Sequence, residues 1–202
     1  QFGCVIGDEA HMFKAKSLTG IMTKMHHCRY RFGLTGTLDG TQTHQLVLEG
    51  LFGAVEKVVT TKELIDKSTL ADLKIKCIIL KHPNIREKMT YAEELEYLVT
   101  NEKRTDFVVN LLRHLRGNTL CLFQLVEKHG KILNDRMKEE ENVYFVYGGT
   151  DTEQREKIRG LVEGHTKSTT IASYGTFSTG INIRNINNIV LASPSKSKIR
   201  VL

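Results

Sequence analysis

Apolar and polar positions along this chain change period several times, and the changes divide it into alternating strands and helices. Residues 2–9, FGCVIGDE, open on small and apolar side chains and close on two acids, the pattern of a buried parallel strand with charge at its carboxyl end. Residues 17–27 predict a short helix with Ser17 as its N-cap. A second strand, RYRFGLTGT, ends at Thr35, Gly36 and Thr37, and the turn signal Leu-Asp-Gly-Thr leads into a helix near 41–50. FGAVEKVVTT (52–61) predicts a further strand, and LKIKCIILKHP (73–83) alternates into another, closed by Pro83.

In the second half the helical period takes over from residue 90. Leu95, Leu98 and Val99, then Phe107, Val108, Leu111, Leu112 and Leu115, predict two helices over 90–116 with a break near Asn101 and Gly117 as C-cap. Strand and helix then alternate: NTLCLFQ, VEKHGKILNDRMKEE, NVYFVYGG, TDTEQREKIRGLVEG and TTIASYG, with NNIVLAS as a final strand. Thr150 and Glu153 have the spacing of a capping box at the start of the second of these helices. Such alternation predicts an α/β fold, a parallel sheet with helices on both faces. Residues 1–62 are expected to form one lobe, 63–72 a connector and 73–202 a second lobe.

Composition narrows the classes. With 40% hydrophobic and 26% charged residues the chain is that of an ordinary globular protein, and no apolar run approaches the roughly 18 residues a membrane span needs. Cys4, Cys28, Cys77 and Cys121 stand far apart without a CxxC pair, so free thiols in a reducing cytosol are expected rather than a zinc ribbon or disulfide framework. A net charge of +6 and a pI near 9.1 favour an anionic partner such as nucleic acid. Basic residues gather at 24–31, 81–88 and 196–200, each either a contact surface or a solvated face. Neither an initiating Met nor a leader opens the chain, which is expected to be an internal piece of a longer protein.

The candidate chemistry sits at strand ends. Asp8-Glu9-Ala10-His11 delivers two neighbouring carboxylates: the first can hold Mg²⁺, the second can orient and polarise a water attacking a phosphate. The plainer alternative is an acidic pair at a strand-to-helix turn. Thr35-Gly36-Thr37 can equally be a simple turn, and IASYGTFSTGINI a glycine-rich loop closing a strand. A metal site from Asp8, Glu9, His11, His26, His27 and Cys28 lacks helical i, i+4 spacing, and adjacent His26 and His27 point to different faces.

Taken together these strings resemble the superfamily 2 helicases of the DEAH-box type. DEAH resembles motif II, Thr35-Gly36-Thr37 motif III with Gly36 in place of the usual Ala, LCLFQLVEKHGKIL motif IV, and IASYGTFSTGINI motif V. The resemblance implies two RecA-like parallel-sheet lobes, the first incomplete, binding ATP and Mg²⁺ in the cleft between them. It implies Asp8 (for Mg²⁺), Glu9 and His11 as catalytic-site residues. Thr35 and Thr37 would meet His11 and couple nucleotide state to nucleic-acid binding. Gly180 and Asn182 would lie near the nucleotide, with Asn182 where many relatives have Asp, and Ser173, Lys131 and Arg155 would contact nucleic acid through its backbone. FGLTGT, VTT before the connector, His-Gly-Lys after the motif IV strand, ASYG with FSTGI and the closing KSKI extend the likeness to phage members that remodel branched DNA, over nearly all of the chain. A part in phage recombination, repair or replication, in the host cytoplasm, is then expected. A non-catalytic nucleic-acid-binding module of the same fold is the alternative.

The chain contains no Gly-Lys-Ser/Thr phosphate loop. The resemblance implies that this loop precedes Gln1 and that motif VI, with its Arg finger, follows Leu202. The chain by itself is expected to hydrolyse ATP negligibly.

Overall fold

The computed structural model describes residues 2–13, 16–36, 42–81, 89–176 and 183–194. It divides into two compact units, Gln1–Cys77 and Ile78–Leu202.

In the first unit β1 (Cys4–Gly7) and β2 (Tyr30–Gly33) pair in parallel, Cys4 opposite Tyr30 and Gly7 opposite Gly33. Helix α1 (Lys16–Lys24) connects them, and α2 (Gln42–Phe52) follows. Its last residue explains the glycines. The Phe52 ring lies across both strand ends, where a Cβ at Gly7 or at Gly33 would come within 2.9 Å of it, and the Phe13 ring meets Phe52 edge-on at 5.3 Å. Burial of β1 is less than its sequence predicts: Ile6 is 65% exposed and Cys4 is exposed too. Two paired strands have two edges, and the aromatic cover lies over the glycine ends, so strand pairing here does not enclose the intervening side chains. Arg31 closes the loop before β2, donating from Nη2 to the Met25 carbonyl at 2.7 Å. That cation of the first basic cluster is engaged within the fold.

The strands predicted at 52–61 and 73–83 do not form. Residues 53–60 and 71–81 carry no strand, with Val58 93% and Ile79 86% exposed, and Pro83 lies outside the described residues. Alternation suits a strand but does not supply a partner for its backbone. Between them α3 (Thr61–Asp66) starts at a capping box that the sequence reading missed. Thr60 Oγ1 accepts from Glu63 N at 3.2 Å, and Thr60 N donates to Glu63 Oε2 at 2.7 Å.

The second unit holds a four-stranded parallel sheet in the order β4-β5-β3-β6. Its strands are β3 (Asn118–Phe123), β4 (Val143–Val146), β5 (Ser168–Ser173) and β6 (Ile186–Leu191). Alternation along central β3 sorts the core into two layers. Cys121 and Phe123 pack with Val108, Val109 and Leu112 of α5 (Glu102–His114) and Leu133 of α6 (Lys131–Arg136). Leu120 and Leu122 pack instead with Ile158 and Val162 of α7 (Thr152–Gly164). Both faces of the sheet are thereby covered, as the βα alternation requires.

Asn101 separates α4 (Tyr91–Thr100) from α5, its Oδ1 accepting from Arg104 N at 2.9 Å. Three local expectations are corrected. Helix α5 stops at His114, and Gly117, at φ +80°, makes the turn into β3, where Asn187 fills the space a Cβ would take. The cap of α7 is Asp151, accepting from Gln154 N at 2.7 Å, because Thr150 Oγ1 is already engaged by Tyr147 N at 3.1 Å. The helix predicted at 126–140 begins as a π-helical turn, Val126–Gly130, before α6.

Candidate nucleotide and nucleic-acid sites

In the first unit the backbone pairing runs past the strand ends: Leu34 N donates to Gly7 O at 2.8 Å and Ala10 N to Leu34 O at 2.9 Å. This anchors both sides of Asp8 and Glu9, which occupy the exposed carboxyl end of β1, the end at which open α/β sheets bind ligands. Glu9 adopts φ 48°, ψ 46°, the left-handed region that non-glycine residues avoid and that recurs at functional sites. Asp8 Oδ1 accepts from Glu9 N at 2.9 Å, which orients the first carboxylate.

A short 3-10 turn, Ala10–Met12, then carries His11 inward. His11 is buried, with Nδ1 2.9 Å from Thr35 Oγ1 and 3.3 Å from Glu9 Oε2. A carboxylate only accepts, so a proton on Nδ1 serves both neighbours. Asp8, Glu9, His11 and Thr35 thus meet at the ends of two adjacent strands. Gly36 follows at the exposed end of the same run, while Thr37 lies outside the described residues. Among the described residues no group of three His, Cys, Asp or Glu side chains is arranged to hold a metal ion.

The second unit holds the other candidates. Ser173 ends β5 and pairs its hydroxyl with Thr176 Oγ1 at 2.6 Å. Lys131 opens α6, exposed, donating to Glu127 Oε2 at 2.7 Å, and this hydrogen bond pushes its pKa up. Arg155 reaches back over the turn after β4, from Nε to Thr150 O at 2.8 Å and from Nη2 to Gly148 O at 3.2 Å. Gly180 and Asn182 lie outside the described residues.

A residue inside the motif IV string that was given no role of its own sits at the same end of this sheet. His129, in the π-helical turn, is fully buried with Nδ1 2.9 Å from Ser193 Oγ, and burial together with the positive charge of Arg104 pushes its pKa down to about 4. Cys121, fully buried in β3, has its thiol pushed up to about 12 by burial. The available signal was a histidine beside a glycine, His129-Gly130, in the turn that follows the apolar Leu120–Phe123 stretch of β3.

No protein-family model matches the chain. It is 36% identical over its whole length to the ATP-dependent DNA helicase UvsW of Enterobacteria phage T4. The crystal structure of T4 UvsW matches all of the chain at 30% identity with a TM-score of 0.51. The chain is UvsW-like from end to end. It spans 42% of the length of UvsW and 40% of the chain in the UvsW crystal structure. Dbp5 of S. cerevisiae, solved bound to RNA and ADP BeF3, matches 98% of the chain at 13% identity with a TM-score of 0.57, covering 47% of Dbp5. At that identity the match speaks for the fold alone, and with UvsW it identifies the parallel α/β architecture as that of a RecA-like helicase core. Among the described residues no helix is long and apolar enough to cross a membrane.

Proposed function

We propose that the protein containing this chain is an ATP-driven helicase or translocase acting on DNA, with branched or duplex substrates of phage recombination, repair or replication. Residues 1–62 would belong to its first lobe and 73–202 to its second. The single observation that carries the reading is the site at the end of β1: two acids, the second in a left-handed conformation, with His11 bridging Glu9 and Thr35 at 3.3 and 2.9 Å. The whole-chain likeness to UvsW and the net charge of +6 support it.

In this reading Asp8 holds Mg²⁺, directly or through water. An exposed carboxylate with one oxygen engaged by a neighbouring N–H suits an ion that keeps several waters and takes one or two carboxylates. Bound with ATP, the ion would neutralise charge on the phosphate oxygens. Glu9, with its side chain 51% exposed, orients a water and accepts its proton. His11 senses the Glu9 carboxylate through the nitrogen it offers to Thr35, so a change at the nucleotide alters the loop that carries Thr35. Thr37 would share the coupling role of Thr35, and Gly180 and Asn182 would serve the nucleotide. Ser173, Lys131 and Arg155 serve the nucleic-acid backbone, which makes binding tolerant of sequence and steeply salt-dependent.

The test is ATP turnover and branched-DNA unwinding by the full-length protein beside its Glu9→Gln variant. Both activities are expected to fall about 10²- to 10⁴-fold, the range for loss of a general base. Equal turnover by the two proteins would remove the catalytic assignment.

A further inference from the structure

At the carboxyl end of the second unit's sheet, three segments converge on one buried residue, Ser193. Its Oγ accepts from Gln124 N at 3.1 Å, directly after β3, and pairs with His129 Nδ1 at 2.9 Å. Its carbonyl accepts from the Tyr174 hydroxyl at 2.7 Å, and Tyr174 directly follows Ser173 at the end of β5. The preceding carbonyl, Ala192 O, accepts from Arg104 Nη2 at 2.5 Å. The π-helical turn, the end of β3, the residue after Ser173 and the chain after β6 are therefore tied together through a single side chain and its backbone.

Two features separate this cluster from ordinary core packing. The turn is built to one geometry: a Cβ at Gly130 would lie 2.4 Å from the Phe123 ring, and π-helical turns recur at functional sites. His129 Nε2 and Gln124 Oε1 are also buried without a hydrogen-bond partner among the described residues. Apolar residues would fill the same space without polar atoms to satisfy, whereas here Ser193 ties three separate segments by hydrogen bonds. The Ser193 hydroxyl, which accepts from Gln124 N, also pairs with His129 Nδ1, since one hydroxyl offers a donor and two acceptor positions. With its pKa pushed down to about 4, the imidazole works as a neutral hydrogen-bonding group.

We propose that His129 and Ser193 are positioning residues that lock the π-helical turn after β3 to the segment following Ser173, so that a nucleic-acid strand meets the two as one surface. The inference rests on the nucleic-acid reading above. It assigns neither residue a contact with the strand: His129 acts through Ser193, and Ser193 through Tyr174.

The experiment titrates single-stranded DNA into the full-length protein and follows stimulated ATP turnover for the unaltered protein, His129→Leu, Ser193→Ala and His129→Asn. The DNA concentration giving half-maximal stimulation is expected to rise roughly fivefold to tenfold in His129→Leu and Ser193→Ala, as for one lost hydrogen bond. The rate at saturating DNA should change by less than about twofold, because the contact acts on binding geometry rather than on the reacting atoms. His129→Asn keeps a hydrogen-bonding group where Nδ1 stood and should restore the unaltered value. Ser193→Ala removes little volume and keeps the test alive if His129→Leu fails to fold. An unchanged half-maximal concentration, or a loss confined to the melting temperature, overturns the inference while leaving the motor reading intact. Turnover that DNA does not stimulate in the unaltered protein overturns the motor reading, and this inference with it.

Discussion

Two histidines in this molecule meet a hydroxyl through Nδ1 at the same 2.9 Å, His11 with Thr35 and His129 with Ser193. The first is held by a two-stranded sheet and shares its nitrogen with Glu9, whose carboxylate is half exposed. The second is sealed at the end of a four-stranded sheet, near the cation of Arg104, with its other nitrogen unpartnered among the described residues. One pairing thus answers to charge at an open strand end, and the other is a fixed neutral clamp. The neighbouring carboxylate and the depth of burial decide which, not the hydrogen bond itself.

The contrast breaks most visibly in the cores behind the two pairs. Phe123→Ala removes the fully buried ring that Gly130 rests against, and should cost about 3–5 kcal/mol in urea unfolding of the chain. Ile6→Ala, beside the other pair but 65% exposed, should stay within about 0.5 kcal/mol. Equal losses would mean that the first sheet is more enclosed than described.

A smaller effect comes from pH. The unfolded His129 imidazole protonates near 6.5 and the folded one near 4, so between those values the unfolded chain binds more protons and stability falls as pH drops. Above about pH 6.5 both states are neutral and the contribution is flat. The loss should reach on the order of 2–3 kcal/mol by pH 4. Urea midpoints of the unaltered chain minus those of His129→Asn isolate it from the carboxylates. A difference that does not vary with pH would show that the clamp is wet or charged.

The smallest expected effect belongs to the open pair. Thr35→Val keeps the shape and deletes the hydroxyl, and should lower DNA-stimulated ATP turnover of the full-length protein about tenfold, the equivalent of ~1.4 kcal/mol. A change below twofold would reduce the His11–Thr35 contact to packing.

The parts of the fold that could be read from sequence are those where one local pattern suffices. The spacing of Leu95, Val99, Val108 and Leu112 gave two helices broken at Asn101, and the apolar run Leu120–Phe123 gave the central strand. Residues 53–60 and 71–81 carry an equally good alternation, but a strand also needs a partner, which no window of sequence contains. The α7 cap moved from Thr150 to Asp151 because the turn just before the helix, through Tyr147 N, claimed the threonine hydroxyl. At the site, Asp8 and Glu9 were legible as acids closing an apolar strand. The left-handed turn at Glu9 was not, since it follows from the anchoring of residues on both sides of it. Ser193 was invisible for a similar reason: its partners lie 64 and 69 residues away.

The Phe52 ring resting on Gly7 and Gly33 has an evolutionary corollary. Position 52 and the two strand ends form a reciprocal volume: a methyl group at either glycine needs the ring at 52 to give way first, with Phe13 next in line at Gly7 and Ala10 at Gly33. Related proteins that carry alanine at one of those strand ends should therefore carry a non-aromatic residue where this chain has Phe52.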